Sequence, residues 1–439
     1  MKKLLPILIM AIAVFGCKST PKGMTIEQLP AELAKLDGVV SVEAVPFDTL
    51  ALPFVKAKYV IMIEQSLNPT DPKSGKFNQR FVLLHSDFNK PMVFQTEGYS
   101  GAYALKEKYA SELAKHYEAN EVVVEHRYFE KSRPDSIDWQ YMRGPYAAAD
   151  LHKINQELRK IYKTKFITTG ISKGGQTTMF YKTYYPDDAD ISVPYVGPLC
   201  FGVEDGRHEP FLETCGTQVQ RDSIKAFQRE VLKRRKAMTP LLDQYSKDNN
   251  LKYRVLNANQ LLDYCVLELS FSMWQWGTPA SSLPSLKASD KEIFAALVAN
   301  AGPEYFSINP GEAFNVQALA ELGYYGYDTK PFSDLLVVKD THDYMRNIFV
   351  PIEVKETVFD VTQANKIVSY LDNNDPKMIF IYGQFDPWSA PAPHDSLFEG
   401  KTNLKKYMQP AGSHRSRIDN MPDSIKNEIY STLDKWLSE

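Results

Sequence analysis

Ser172 lies in the stretch "KFITTGISKGGQTTMFYKTYYP", residues 165–186, with a glycine two positions before it and another two after. A serine hydroxyl attacks a carbonyl only when a base takes its proton and the backbone lifts it clear of its neighbours. Gly-x-Ser-x-Gly does the lifting when it falls between a strand and a helix. Glycine on both sides lets the chain turn sharply and lets other backbone pass close by. Three fixed positions alone would arise by chance in about one chain in seven of this length, so the flanks decide. Residues 166–169 are a β-prone run, and 176–185 contain no helix breaker before Pro186. That context predicts a nucleophile elbow. Two rivals fail on spacing: a phosphate-binding loop needs Gly-Lys-Ser/Thr where this chain has Gly175-Gln176-Thr177, and Ser-x-x-Lys needs lysine where Gly175 stands.

A serine of this kind needs a base and an acid that orients the base, in the chain order Ser, Asp/Glu, His. Beyond residue 345 the histidines are His394 and His414. His414, in "PAGSHRSR", follows a short strand in a glycine-containing loop and is the expected base; His394, in "SAPAPHD", reads as a surface histidine. Asp386 directly follows the apolar run "MIFIYGQF", which puts a carboxylate at a strand's C-terminal end, where α/β sheets gather function. Asp375 and Asp395 are the fallback acids. The Lys173 N–H and a donor from the Glu97-Gly98-Tyr99 loop, at Gly98 or Tyr99, would hold the oxyanion. Two further carboxylates end strands, Glu97 after "PMVFQT" and Glu125 after "EVVV", and could receive a substrate ammonium. For Glu97 the plainer role is shaping the oxyanion loop; for Glu125 it is an ion pair with Arg127.

These residues need a scaffold. Strand-like runs at 58–65 and 79–85 flank the turn-rich "NPTDPKSGK" and predict a hairpin. Then follow strand 91–96, helix 102–117, strand 121–125, helix 146–162, strand 166–169, the elbow helix and strand 191–196. Strands alternating with helices imply right-handed crossovers and a mainly parallel sheet. With its antiparallel start this predicts an α/β-hydrolase fold, with Ser172 after the fifth strand. The first part of the core spans 46–200. Residues 201–345 break the alternation with charged helices and aromatics, and predict an inserted helical cap. The second part, 346–439, adds the strand before Asp386, a short strand near "LKKYMQPAGSHR" and a closing amphipathic helix at 422–437.

Length and composition suit such a protein: 439 residues, 44% hydrophobic, 24% charged, with a formal net charge of −3 that gives no reason to invoke nucleic acid. The chain starts differently. Met1-Lys2-Lys3 precedes an apolar run over 4–15, too short to span a bilayer, that ends in Gly16-Cys17. This predicts a lipoprotein signal over 1–17, lipidation of Cys17, a tether and arm over 18–45, and a place in the bacterial cell envelope. A plain secretory signal is the alternative. Cys200, Cys215 and Cys265 remain; one disulfide and one buried thiol is the economical arrangement for an exported protein, with Cys200–Cys215 the better-placed pair. No Cys-x-x-Cys or His-Glu-x-x-His is present, so neither a metal nor another cofactor is expected.

"EHRYF" (125–129), "GISKGG", "GQFDPWS" and "GSHR" occur in this order, and "FNKPMVFQTEGYS" precedes them. Together they resemble the S28/S37 serine peptidases, more closely the bacterial tripeptidyl aminopeptidases of the S37 (PS-10) type, over about 55–420. The resemblance implies Ser172 as nucleophile, Asp386 as orienting acid and His414 as base. It also implies peptide substrates cleaved near a free N-terminus, with tripeptides as the typical product. An esterase or lipase of the same fold, or a silent peptide- or glycan-binding lipoprotein, are the alternatives.

Overall fold

The computed structural model describes residues 23–308 and 311–439. Nine strands form one sheet: β1 (Val39–Ala44), β2 (Ala57–Ser66), β3 (Lys76–His85), β4 (Met92–Thr96), β5 (Asn120–Val124), β6 (Phe166–Ile171), β7 (Ile191–Tyr195), β8 (Met378–Gly383) and β9 (Leu404–Gln409). Their order is β1-β2-β3-β5-β4-β6-β7-β8-β9. β1, β2, β3 and β5 pair antiparallel, and every pairing from β5 across to β9 is parallel. This is the α/β-hydrolase fold. The hairpin over 58–85 is β2–β3, with Ala57 opposite His85 and Ser66 opposite Lys76.

Alternate residues of each central strand point to opposite faces of the sheet, and both faces are covered. Phe94, Val122, Phe166 and Phe380 pack on one side with α1 (Leu29–Leu33), α3 (Gly144–Ile161), α4 (Lys173–Tyr184) and α11 (Thr362–Asn373). Val93, Val123, Ile167, Val193 and Ile379 pack on the other with α2 (Glu112–Tyr117) and α12 (Asp423–Ser438). That double burial is why these strands read as unbroken apolar runs.

Between β7 and β8 lies the helical insertion: α5 (His208–Thr214), α6 (Gln218–Lys233), α7 (Arg235–Asp248), α8 (Ala258–Trp276), α9 (Asp290–Ala301) and α10 (Glu312–Gln317). α8 is its axis. It begins at an Asn257 capping box, ends at Gly277 with φ +70°, and packs against α6, α7 and α9. Leu262, Val266, Leu269 and Met273 are fully buried there.

Several expectations change. The helix over 102–117 is two pieces, a 3₁₀ turn at Ala102–Leu105 and α2, because Ser111 caps a fresh start through a 3.3 Å bond from the Ala114 N–H. β1 and α1 lie in the segment read as an arm, so the strand before Ser172 is the sixth. Residues 346–377 return to the core without a strand, through a π-helical turn at Met345–Phe349, a 3₁₀ turn at Ile352–Val354 and α11. The Cys200–Cys215 disulfide is also corrected: Cys200, Cys215 and Cys265 are free, buried thiols. Cys215, at the end of α5, turns its Sγ to the Phe385 carbonyl at 3.5 Å, whereas Cys200 lies against Gly323. The signal, Cys17 and the first residues of the tether lie outside the described residues.

Candidate active site

Ser172 joins β6 to α4 with φ 59° and ψ −122°, a conformation costing of order 1–3 kcal/mol for a residue with a side chain. The surroundings enforce it. The Ser172 N–H donates to the Tyr195 carbonyl at 2.9 Å, and the Gln176 N–H to the Ser172 carbonyl at 3.0 Å. A Cβ on Gly170 would stand 2.2 Å from the Gly174 oxygen, and one on Gly175 would stand 2.6 Å from the Tyr195 oxygen. Glycine at these positions is thus a packing requirement, and Ser172 is held in the shape of a nucleophile elbow.

Asp386 leaves β8 fully buried. Its Oδ1 accepts the Trp388 N–H at 3.1 Å, and its Oδ2 lies 2.7 Å from His414 Nδ1. A carboxylate there fixes the proton on Nδ1 and leaves a lone pair on Nε2. His414 Nε2 is buried and has no hydrogen-bond partner among the described residues. The His414 loop is braced by the insertion: the His414 N–H donates to the Gln275 carbonyl at 2.9 Å, and the Trp276 ring meets the imidazole edge-on at 5.9 Å. Ser172, Asp386 and His414 follow β6, β8 and β9, all at the C-terminal edge of the parallel sheet. The fallback residues are engaged elsewhere. Exposed His394 turns Nδ1 to its own neighbour Ser396, Asp395 pairs with Lys406, and Asp375 accepts the N–H groups of Thr402, Asn403 and Leu404.

The loop after β4 is disposed differently from the sequence reading. The Gly98 N–H donates to Glu97 Oε2 at 3.1 Å, and the Tyr99 N–H faces the same carboxylate. Glu97 also accepts Tyr103 Oη at 2.5 Å and Gln95 Nε2 at 3.2 Å; burial pushes its pKa up. The Gly98 amide is therefore occupied by the neighbouring side chain. The Tyr99 phenol faces the Ser172 side chain, and both residues line the same cavity. Lys173 fastens this loop from the other side. Its buried ammonium donates to the Gly98 carbonyl and lies 5.6 Å from the centre of the Tyr99 ring and 5.2 Å from that of Phe129; burial depresses its pKa strongly. The Lys173 N–H opens α4, where no residue of the helix stands four places back to receive it.

Glu125 pairs with Arg80, not Arg127, and accepts the Gly101 N–H at 3.0 Å and the Ser132 N–H and hydroxyl at 3.1 and 2.9 Å. Arg127 is bound to Asp150 at 2.7 and 2.8 Å. These groups tie β3, β5 and the following loop together.

Ser172 opens into a cavity of about 340 Å³ between core and insertion, walled by Tyr99, Trp276, Phe314, Tyr324 and Trp388. Neither Glu97 nor Glu125 is among its lining residues. The carboxylate there is Glu268 of α8, which sequence reasoning missed. The signal was present as an isolated acid within the apolar run "YCVLELSFSMW".

Comparison with known proteins gives one family and one relative of note. The model of the PS-10 peptidase S37 family matches residues 26–423. A prolyl tri/tetrapeptidyl aminopeptidase from Streptomyces mobaraensis is 27% identical over 400 residues, covering 88% of this chain and 81% of that protein. Among solved structures, a proline iminopeptidase from Mycobacterium smegmatis covers 90% of this chain and 99% of its own at 10% identity, with a TM-score of 0.43.

Proposed function

Because this chain belongs to the PS-10 peptidase S37 family, we propose that it is a serine exopeptidase releasing short peptides, chiefly tripeptides, from free N-termini. The observation that carries this reading is the Asp386–His414 pair with Nε2 left open, set at the same sheet edge as a strained Ser172 that faces a cavity. The activity named for the Streptomyces relative supports short peptides as products.

In this mechanism His414 Nε2 takes the Ser172 proton as Oγ bonds to the peptide carbonyl carbon. The imidazolium, stabilised by Asp386, then gives that proton to the departing amine as the C–N bond breaks. Water hydrolyses the acyl-enzyme by the same steps reversed. The developing oxyanion is held by the Lys173 N–H and the Tyr99 hydroxyl, while Glu97 and the Lys173 ammonium hold the loop. We further propose that the enzyme sits in the bacterial cell envelope, anchored by lipid on Cys17; the apolar run over 4–15 ending in Gly16-Cys17 supports this.

A fluorophosphonate probe should label Ser172, and Ser172→Ala should abolish labelling and lower turnover by several orders of magnitude. Mass spectrometry of digests should show tripeptides leaving unblocked peptides far faster than any product leaves acetylated ones. Labelling with hydrolysis of esters alone would mark an esterase. For the anchor, Cys17→Ser should abolish acyl labelling and detergent-phase partitioning while activity survives; a water-soluble wild type would refute it.

A further inference from the structure

Three neutral polar side chains, Ser272, Gln275 and Asn300, and several tyrosines share the Ser172 cavity, but among the described residues lining it only Glu268 can carry a negative charge, and no lysine or arginine lines it. Glu268 is buried in α8 and held by hydroxyls alone. Tyr325 Oη lies 3.0 and 2.9 Å from its two oxygens, and Tyr327 Oη lies 2.7 Å from Oε2. Tyr305 Oη steadies this group through Tyr325 Oη at 3.0 Å. Several buried acids are compensated in place, Glu125 by Arg80, Asp150 by Arg127, Asp263 by Arg235 and Asp386 by His414; Glu97, Glu121 and Glu321 are buried without an ion pair among the described residues, but none of them lines this cavity. Glu268 has no ion pair among the described residues. A buried carboxylate without a cation is costly, and one that faces a cavity beside a nucleophile is open to a cation brought by the substrate.

We propose that Glu268 is the seat of the substrate's α-ammonium group. The inference rests on the exopeptidase reading above and gives it a physical basis, since an acetylated N-terminus brings no charge to this carboxylate. An ammonium donates three hydrogen bonds and a carboxylate offers about four lone-pair sites, so Glu268 has capacity beyond its two tyrosines. The seat is also a ruler. α8 is fixed by its packing in the insertion, and through Gln275 the same helix braces the His414 loop. The separation between Glu268 and Ser172 therefore sets how many residues, each spanning at most about 3.3–3.6 Å, fit between the amine and the cleaved bond.

The test is Glu268→Gln, which keeps shape and acceptor oxygen and removes the charge. On an unblocked tripeptide p-nitroanilide, kcat/KM should fall about a hundredfold, mainly through KM. On the N-acetylated counterpart it should change less than twofold, and fluorophosphonate labelling of Ser172 should keep its wild-type rate. Equal losses on both substrates, or no loss on either, overturn the seat alone. A wild type indifferent to N-terminal blocking overturns the exopeptidase reading and the seat with it.

Should the variant fail to label, wild-type enzyme decides. Burial raises the Glu268 pKa to about 7, and its neighbours Tyr305, Tyr324, Tyr325, Tyr327, Tyr344 and Cys265 are pushed upward and stay neutral below pH 8. The ratio of kcat/KM for unblocked over acetylated substrate should then rise about tenfold or more from pH 5.5 to 7.5. Any enzyme ionisation that acts on both substrates alike cancels in this ratio. A flat ratio overturns the proposal.

Discussion

The Tyr99 phenol faces the Ser172 side chain, which gives Tyr99 a part beyond walling the cavity. If its hydroxyl meets the developing oxyanion, Tyr99→Phe removes one donor from a dry site, a loss worth ~3–4 kcal/mol. The expected result is a kcat lower by a factor on the order of a hundred to a thousand, with KM for unblocked peptides little changed. A loss under about threefold would leave the ring as packing and return the oxyanion to backbone donors. The base is tested by ranking: His414→Ala should be as damaging as Ser172→Ala because the two act as a unit, and His394→Ala should be nearly silent. The reverse ranking of kcat/KM would move the base. That Ser172, Asp386 and His414 would come to one sheet edge was legible in the sequence, because glycines or a strand just upstream mark each position. Glu268 was not. Its neighbours in sequence say buried helix, and only the tertiary fold shows that this helix closes the cavity over Ser172.

At the scale of elements, the joint between β6 and α4 depends on backbone passing close to backbone. A Cβ on Gly175 would stand 2.6 Å from the Tyr195 oxygen and 3.1 Å from the Gly197 Cα, both main-chain atoms that cannot rotate away. Gly175→Ala should push α4 off the end of β7, lowering stability by about 1–3 kcal/mol as overpacking does and slowing fluorophosphonate labelling of Ser172. Gly202→Ala is the control, since its Cβ would meet nothing nearer than 3.5 Å. Equal thermal midpoints and labelling rates for the two variants would show that the joint gives way more easily than its geometry implies. The central strands and crossover helices were readable because burial on both faces writes long apolar runs. β1 was not, because its exposure pattern is mixed and has no clean alternation. The break before α2 escaped notice because nothing between 102 and 117 forbids a helix; Ser111 merely offers a better start.

For the molecule as a whole, the question is what holds insertion and core together without covalent help. One hydrophobic cluster runs through both: Phe271, Tyr324 and Tyr325 of the insertion pack with Trp388, two residues after Asp386, and the same cluster takes in Phe129 and Trp139 beyond β5. The buried imidazole of His208 sits among Phe271, Tyr325 and Trp388, with its pKa pressed down to about 3 by burial, so this seam stays neutral and apolar at ordinary pH. The three cysteines share that character. Burial raises all three thiol pKa values, for Cys215 to about 12, which suppresses the reactive thiolate. A disulfide closing a loop of about fifteen residues would be worth about 3 kcal/mol, enough to move a thermal midpoint by a few degrees. With the thiols free, the midpoint should be the same within a degree with and without reductant. Cys200, Cys215 and Cys265 should resist alkylation in the native protein and all react on unfolding. A midpoint lowered by reductant, or a peptide pair linked between Cys200 and Cys215 in a non-reduced digest, would restore the bond that the sequence alone suggested. The sequence invited that bond because a cysteine count and an N-terminal apolar run can be read from a chain. That Cys215 turns to the Phe385 carbonyl while Cys200 lies against Gly323 cannot.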